Sequence, residues 1–293
     1  MREIGRDLGR FWTEGRRIER LSYLVGAALL LSGLVHLGVQ ALLGGPWLGP
    51  VSWRKPTTFG LSFGLTAISV AWVSSFLRMG ERLRTAALGG FLLASVAEVT
   101  LISAQAWRGV PSHFNFETAT DTRITTVLAA GGGALFLTLG ALFAASLRGQ
   151  PGLAPSMRAA IRLGFGALVG ALVIGGVMIG IGTTLARGGD PQAAYHTAGA
   201  FKLAHAVAMH GIALLPSLAW LGHFSDLTER RLTRLLAIAS AAYAALVGCA
   251  LAVGPAVVWL LGAVCVLVLV AAALPIVAGA LGGWRHSPGH PVR

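Results

Sequence analysis

Eight predominantly apolar runs, each long enough to cross a bilayer as a helix, follow one another along this chain and leave few folds open to it. A hydrocarbon core about 30 Å thick takes about 20 helical residues. Runs at roughly 21–43, 58–77, 85–107, 124–147, 159–186, 199–222, 232–253 and 256–281 meet that length. Lipid offers no partner to backbone N–H and C=O groups, so each run must bond within itself as a helix. The expected fold is all-α: a polytopic transmembrane helical bundle of about eight spans, with the lipid bilayer as its first partner. Only 12% of the residues are charged, about half the share of a soluble domain. That is too little charge to solvate a water-exposed surface.

The formal charge of +12 would point to nucleic acid in a soluble protein. Here the basic residues lie between the apolar runs, and no nucleic-acid partner is expected. With the N-terminus placed inside, 17 of the 23 Lys and Arg fall on the inner side, which the positive-inside rule favours. Both termini are therefore expected to be cytoplasmic. Residues 1–20 form a basic amphipathic segment with six arginines around Phe11, Trp12 and Ile18, suited to an anionic leaflet. Residues 21–283 form one transmembrane bundle and 284–293 a cytoplasmic tail.

Spans two and six both end in Ala-Trp (Ala71-Trp72, Ala219-Trp220), so two parallel four-helix halves are one expected arrangement. Close helix packing is expected at Gly166 and Gly170, at Gly176 and Gly180, and at the Gly131–Gly133 cluster. Cys249 and Cys265 lie within apolar runs and read as small packing residues rather than a disulfide.

The inner connections are short and arginine-rich, whereas three outer ones, 45–56, 108–121 and 187–197, mix aromatic, basic, acidic and imidazole groups. They supply Lys55, Arg108, His113 and Asn115 as candidate catalytic residues. A solvated loop that caps the next span is the plainer account of 108–121. Inside the spans, polar groups are costly and mark cavities or bundle interiors. Glu98 is the only acidic residue deep in a span, roughly 15 Å from its outer end. Gln105 and Arg108 follow on about the same helical face. His36, His205 and His210 are candidate cofactor ligands, with His205 about 9 Å and His210 about 16 Å below the outer end of span six. The deep polar groups gather in the outer half, which predicts an outward-opening cavity among spans one, two, three and six. Each histidine also fits a plain packing role.

The stretches Trp-Arg-Lys-Pro-x-x-Phe-x-x-Ser (53–62), Gln-Ala-x-Arg-Gly-x-x-Ser-His-Phe-Asn (105–115) and His-x-x-x-x-His-Gly-Ile-x-x-x-Pro (205–216) resemble those of an uncharacterised family of bacterial multi-pass membrane proteins. The resemblance covers spans one to six. It implies that the three stretches form a joint site and implies nothing about substrate. Phosphate-loop, Cys-x-x-Cys, His-Glu-x-x-His and Gly-x-Ser-x-Gly motifs are absent.

Three functions stay open. A membrane enzyme or redox protein would use the histidines for haem or a transition metal, or Glu98 as general acid or base on a small-molecule or lipid-like substrate. A proton-coupled transporter of a small solute would use the deep carboxylate and histidines. A non-catalytic membrane partner of another protein would need neither.

Overall fold

The computed structural model describes residues 2–199, 201–252 and 256–282. The predicted tail at 284–293 and the Gly254-Pro255 turn lie outside the described residues. The elements, in order, are α1 (Arg2–Thr13), α2 (Arg17–Leu43), α3 (Arg54–Ser75), α4 (Glu81–Trp107), α5 (Ala119–Leu147), α6 (Pro155–Arg187), α7 (Pro191–Gly199), α8 (Lys202–Met209), α9 (Gly211–Gly222), α10 (Glu229–Leu251) and α11 (Ala256–Gly282). No strand occurs among the described residues. Eight helices or helix pairs are long and apolar enough to cross a membrane, with α8 and α9 together making the sixth. The all-α bundle of about eight spans is thus the observed fold.

Several helices begin a few residues earlier than the apolar runs because polar residues start them. Thr118 caps α5 by accepting from the Asp121 amide, Thr228 caps α10 by accepting from the Arg231 amide, and Pro155 opens α6. The neighbour pattern of the first four spans recurs in the last four. α2 packs on α3, α3 on α4 and α4 on α5; α6 packs on α8 and α9, these on α10, and α10 on α11. The halves meet through α3 with α9 and α5 with α6. Trp72 and Trp220 touch at the first of these contacts, edge to face, with ring centroids 6.0 Å apart.

The tightest helix approach is not at the glycines the sequence pointed to. Gly170, Gly176 and Gly180 have open space where a Cβ would sit. The close seam joins α2 to α3. A Cβ on Gly60 would lie 2.6 Å from the Gly33 nitrogen, and one on Gly64 would lie 2.6 Å from the Gly26 carbonyl oxygen. Lipid gives no hydrophobic drive between helices, so backbone approach of this kind is what holds them. Cys249 and Cys265 are free thiols on the adjacent α10 and α11.

The bundle has two unlike ends. The arginine-rich end carries α1 and the connections before α4, α6 and α10; the loop-rich end carries those before α3, α5 and α8. At the arginine-rich end α1 folds onto the bundle. Phe11 packs against Trp72, Phe76 and Trp220, and the Trp220 indole donates to Asp7 Oδ2 over 2.8 Å. A cavity of about 630 Å³ opens there, lined by Phe11, Phe76, Met157, Trp220 and His223 with the carboxylates of Asp7 and Glu19. The sequence predicts a cavity at the opposite end, because the deep polar groups gather there; at the arginine-rich end α1 supplies part of the wall of this one.

Candidate functional site

At the loop-rich end the connection between α4 and α5 is held by a satisfied polar strap. Gln105 Nε2 donates to Asp121 Oδ1 (2.9 Å) and to the Pro111 carbonyl (3.3 Å). Arg108 donates to the Gln105 side-chain oxygen and to Asp121 Oδ1, the latter at 2.8 Å. Thr118 Oγ1 donates to Asp121 Oδ2 at 2.6 Å. Asn115 Nδ2 donates to the Pro111 carbonyl, and its own backbone carbonyl accepts from Thr125 Oγ1 at 3.0 Å. Gln105, Arg108 and Asn115 are thus brought together, and their polar atoms shape the loop. Among the described non-glycine residues only Phe114 has a positive φ, 59°. The strap forces this turn, and the Phe114 ring lies against Gly182 of α6, where any Cβ would collide with it.

That turn presents His113. Its carbonyl accepts from Tyr195 Oη at 2.9 Å, its Nδ1 pairs with Ser112 Oγ at 3.0 Å, and its ring lies against Phe59 of α3. Lys55 donates to the Pro50 carbonyl at 2.8 Å and its ammonium stands 5.3 Å from the Tyr195 ring centre. Burial first, then the charges of Lys55 and Lys202, push the His113 imidazole down to about 3, so it is neutral at ordinary pH. Burial first, then Glu117, raises the Tyr195 phenol to about 12. Lys55 and His113 therefore share one site through Tyr195, a residue of the third mixed outer connection.

The histidines proposed as cofactor ligands do not converge. His36 commits both ring nitrogens: Nδ1 pairs with the Ser32 carbonyl (2.8 Å) and Nε2 accepts from the Trp107 indole (3.2 Å). It sits in a cluster with Trp53 and Trp107, whose rings are 4.8 Å apart. His205 Nδ1 bonds the Ala171 carbonyl of α6 at 2.7 Å, and His210 Nδ1 bonds the Ala206 carbonyl at 2.6 Å. Each keeps only Nε2, and both lie on one span. Among the described residues no three His, Cys, Asp or Glu side chains come together as a metal site. His36 has no ring nitrogen left for a ligand, and the three histidines proposed together do not form one donor set.

His210 also marks a break the sequence missed. Span six is two helices, α8 and α9, joined at this residue. The imidazole takes the Ala206 carbonyl that the His210 amide would bond in a continuous helix, and the amide turns to Val207 instead (3.2 Å). Tyr243 of α10 donates its hydroxyl to the Val207 carbonyl. Gly211 allows the approach, since a Cβ there would lie 2.8 Å from Ala167 Cβ. Tyr243 lies mid-run in an apolar span and carries no motif that could have flagged it.

Glu98 stands apart, buried between α4 and α5 at 5% exposure with no hydrogen bond among the described residues. Its carboxylate faces Gly131 so closely that a Cβ there would lie 2.8 Å from Oε1. No protein-family model, curated protein or solved structure matches this chain.

Proposed function

We propose that this chain is a proton-coupled transporter of a small solute in a bacterial inner membrane, with its arginine-rich end cytoplasmic. One observation carries the reading: span six is interrupted at His210, between Lys202 at the loop-rich end, which has no ion pair among the described residues, and the cavity at the arginine-rich end. Discontinuous helices supply polar backbone and mobile hinges where a solute crosses the bilayer centre. Down this one span run Lys202, His205 one turn below, His210 at the break, then Trp220 and His223 beside the cavity. Ile212, Leu215 and Ala219 are fully packed between break and cavity, as expected of a path closed in the middle.

The test is flux in proteoliposomes loaded with a pH-sensitive dye. A panel of small carboxylates, phosphate and amino acids is added outside, and solute-dependent acidification is followed. His210→Leu should abolish that signal without unfolding the protein. Wild-type protein that moves no proton with any solute, in either orientation, would sink the reading.

A second reading, a membrane enzyme acting on a lipid-like substrate, is favoured by Glu98. That carboxyl lies away from span six and has no partner among the described residues, as an intramembrane acid–base group would.

A further inference from the structure

We infer that the cavity at the arginine-rich end binds an amphipathic organic cation, with Asp7 as its counter-charge and Phe11, Phe76 and Trp220 as its aromatic wall. The inference names a solute class for the path proposed above and rests on that reading for the occupant's movement. Occupancy itself is measured at equilibrium, without flux.

The cavity lies between two unlike surfaces. From one side α1 and the turn into α2 supply the charged groups Asp7, Arg10, Glu14, Arg16 and Glu19. From the other, the ends of α3 and α9 and the first turn of α6 supply Phe76, Trp220 and Met157. Its volume of about 630 Å³ lies within the range of sites for organic molecules, and a bare ion would leave most of it to water.

The guanidiniums on the wall are already neutralised. Arg10 donates to both Glu14 oxygens, at 2.9 and 3.4 Å. Arg16 bonds Glu19 at 3.1 Å and Glu81 at 2.7 Å, and Arg84 meets Glu19 at 3.2 Å. Asp7 is left over. Its Oδ2 accepts from the Trp220 indole at 2.8 Å. Its Oδ1 stands 4.0 Å from Arg10 Nη1, beyond hydrogen-bond distance, and accepts no other bond among the described residues. Burial holds the His223 imidazole below its usual range, although the charges of Glu229 and Asp7 pull the other way, so it adds no positive charge at neutral pH. The amino terminus of α6 is covered by Glu229, which accepts from the Ser156 amide at 2.7 Å.

The indole bond sets the Asp7 carboxylate at the edge of an aromatic cluster. There Phe11 meets Phe76 with ring centres 5.7 Å apart and Trp220 with ring centres 6.5 Å apart. A cation bonded to Oδ1 stands next to these rings, and cation–π attraction acts within about 6 Å of a ring centre. An anionic solute would meet Asp7 and find both guanidiniums taken. An ammonium or phosphonium with an apolar body satisfies the carboxylate and covers the aromatic wall together.

The experiment is equilibrium dialysis of the full chain, in a neutral detergent, against tetraphenylphosphonium, with protein-free micelles as the blank. A separate arm uses tetraphenylborate, which has nearly the same shape and the opposite charge. Saturable binding of the cation is expected, with much weaker binding of the anion. Asp7→Asn keeps an acceptor for the Trp220 indole and should weaken cation binding by about tenfold or more, as loss of a charge-assisted hydrogen bond does. Phe76→Leu should weaken it several-fold. Glu3→Gln, an exposed carboxylate of α1 off the cavity wall, should leave it unchanged. Absence of saturable cation binding would overturn the inference, as would equal affinity for tetraphenylborate, full affinity in Asp7→Asn or equal loss in Glu3→Gln. Should Asp7→Asn fail to fold, Phe76→Leu and the tetraphenylborate arm decide. Cation binding by a protein that moves no proton with any solute would leave the site standing and sink the transport reading alone.

Discussion

Arg84 and Glu19, each 1% exposed, face one another across 3.2 Å at the arginine-rich end of the bundle. Arg84 also donates to the Ser74 and Leu77 carbonyls, at 2.5 and 2.7 Å, closing the carboxyl-terminal turn of α3. Removing one member of a buried pair costs about 3–5 kcal/mol. Arg16 still reaches Glu19 at 3.1 Å, so Arg84→Met should fall near the lower figure. Thermal unfolding in detergent measures it, and adding Glu19→Leu should recover much of the loss.

His113 gives the fold an acid limit. Its imidazole is held down to about 3 in the folded chain, against an unfolded value of about 6.5. Between those values the unfolded chain takes up a proton that the folded chain refuses, so stability falls as pH drops from about 6.5 toward 3. Melting temperatures across that window should decline, and His113→Gln should flatten the curve. An unchanged slope in the variant would mean that another group titrates.

Gly131→Ala tests Glu98 without removing it. The added methyl would lie 2.8 Å from Oε1, at the flexible end of the side chain. The carboxyl should swing aside with a stability change under about 1 kcal/mol, while any Glu98-dependent activity changes. If Glu98→Gln abolishes activity and Gly131→Ala leaves it intact, the exact position of the carboxyl does not matter.

Tyr243→Phe removes the hydroxyl that satisfies the Val207 carbonyl at the span-six break. The Val207 carbonyl keeps the His210 amide, so the variant loses one net hydrogen bond, about 0.5–1.5 kcal/mol. Backbone amides around 207–211 should exchange faster with deuterium, and those in α3 should not. Unaltered exchange at the break would show that Tyr243 does not hold it.

The spans were legible because lipid leaves the backbone one solution, and a length criterion then suffices. Their starts were off by only a few residues, where Thr118, Thr228 and Pro155 begin helices outside the apolar runs. The break at His210 was not legible: it depends on an imidazole competing for one carbonyl and on a tyrosine from another span. Nor was the role of Gln105 or Arg108. The helical spacing placed them on one face correctly, but only the fold showed that Asp121 binds both. The burial of Arg84 was not legible either, because its partner Glu19 lies 65 residues away, in the segment expected at the leaflet. The glycine seam was missed because its members lie on two separate helices, Gly26 and Gly33 on one and Gly60 and Gly64 on the other.

The bond from Trp220 to Asp7 spans 213 residues of chain. At about 5–20 residues per second of synthesis, the segment bearing Asp7 and Phe11 waits roughly 10–40 s before Trp220 has been made. Over that interval α1 can dock on Trp72 and Phe76 but not on Trp220, while Arg10 already has Glu14 of its own segment as counter-charge. The wall of the cavity at the arginine-rich end is therefore completed only once Trp220, near the end of span six, has been made.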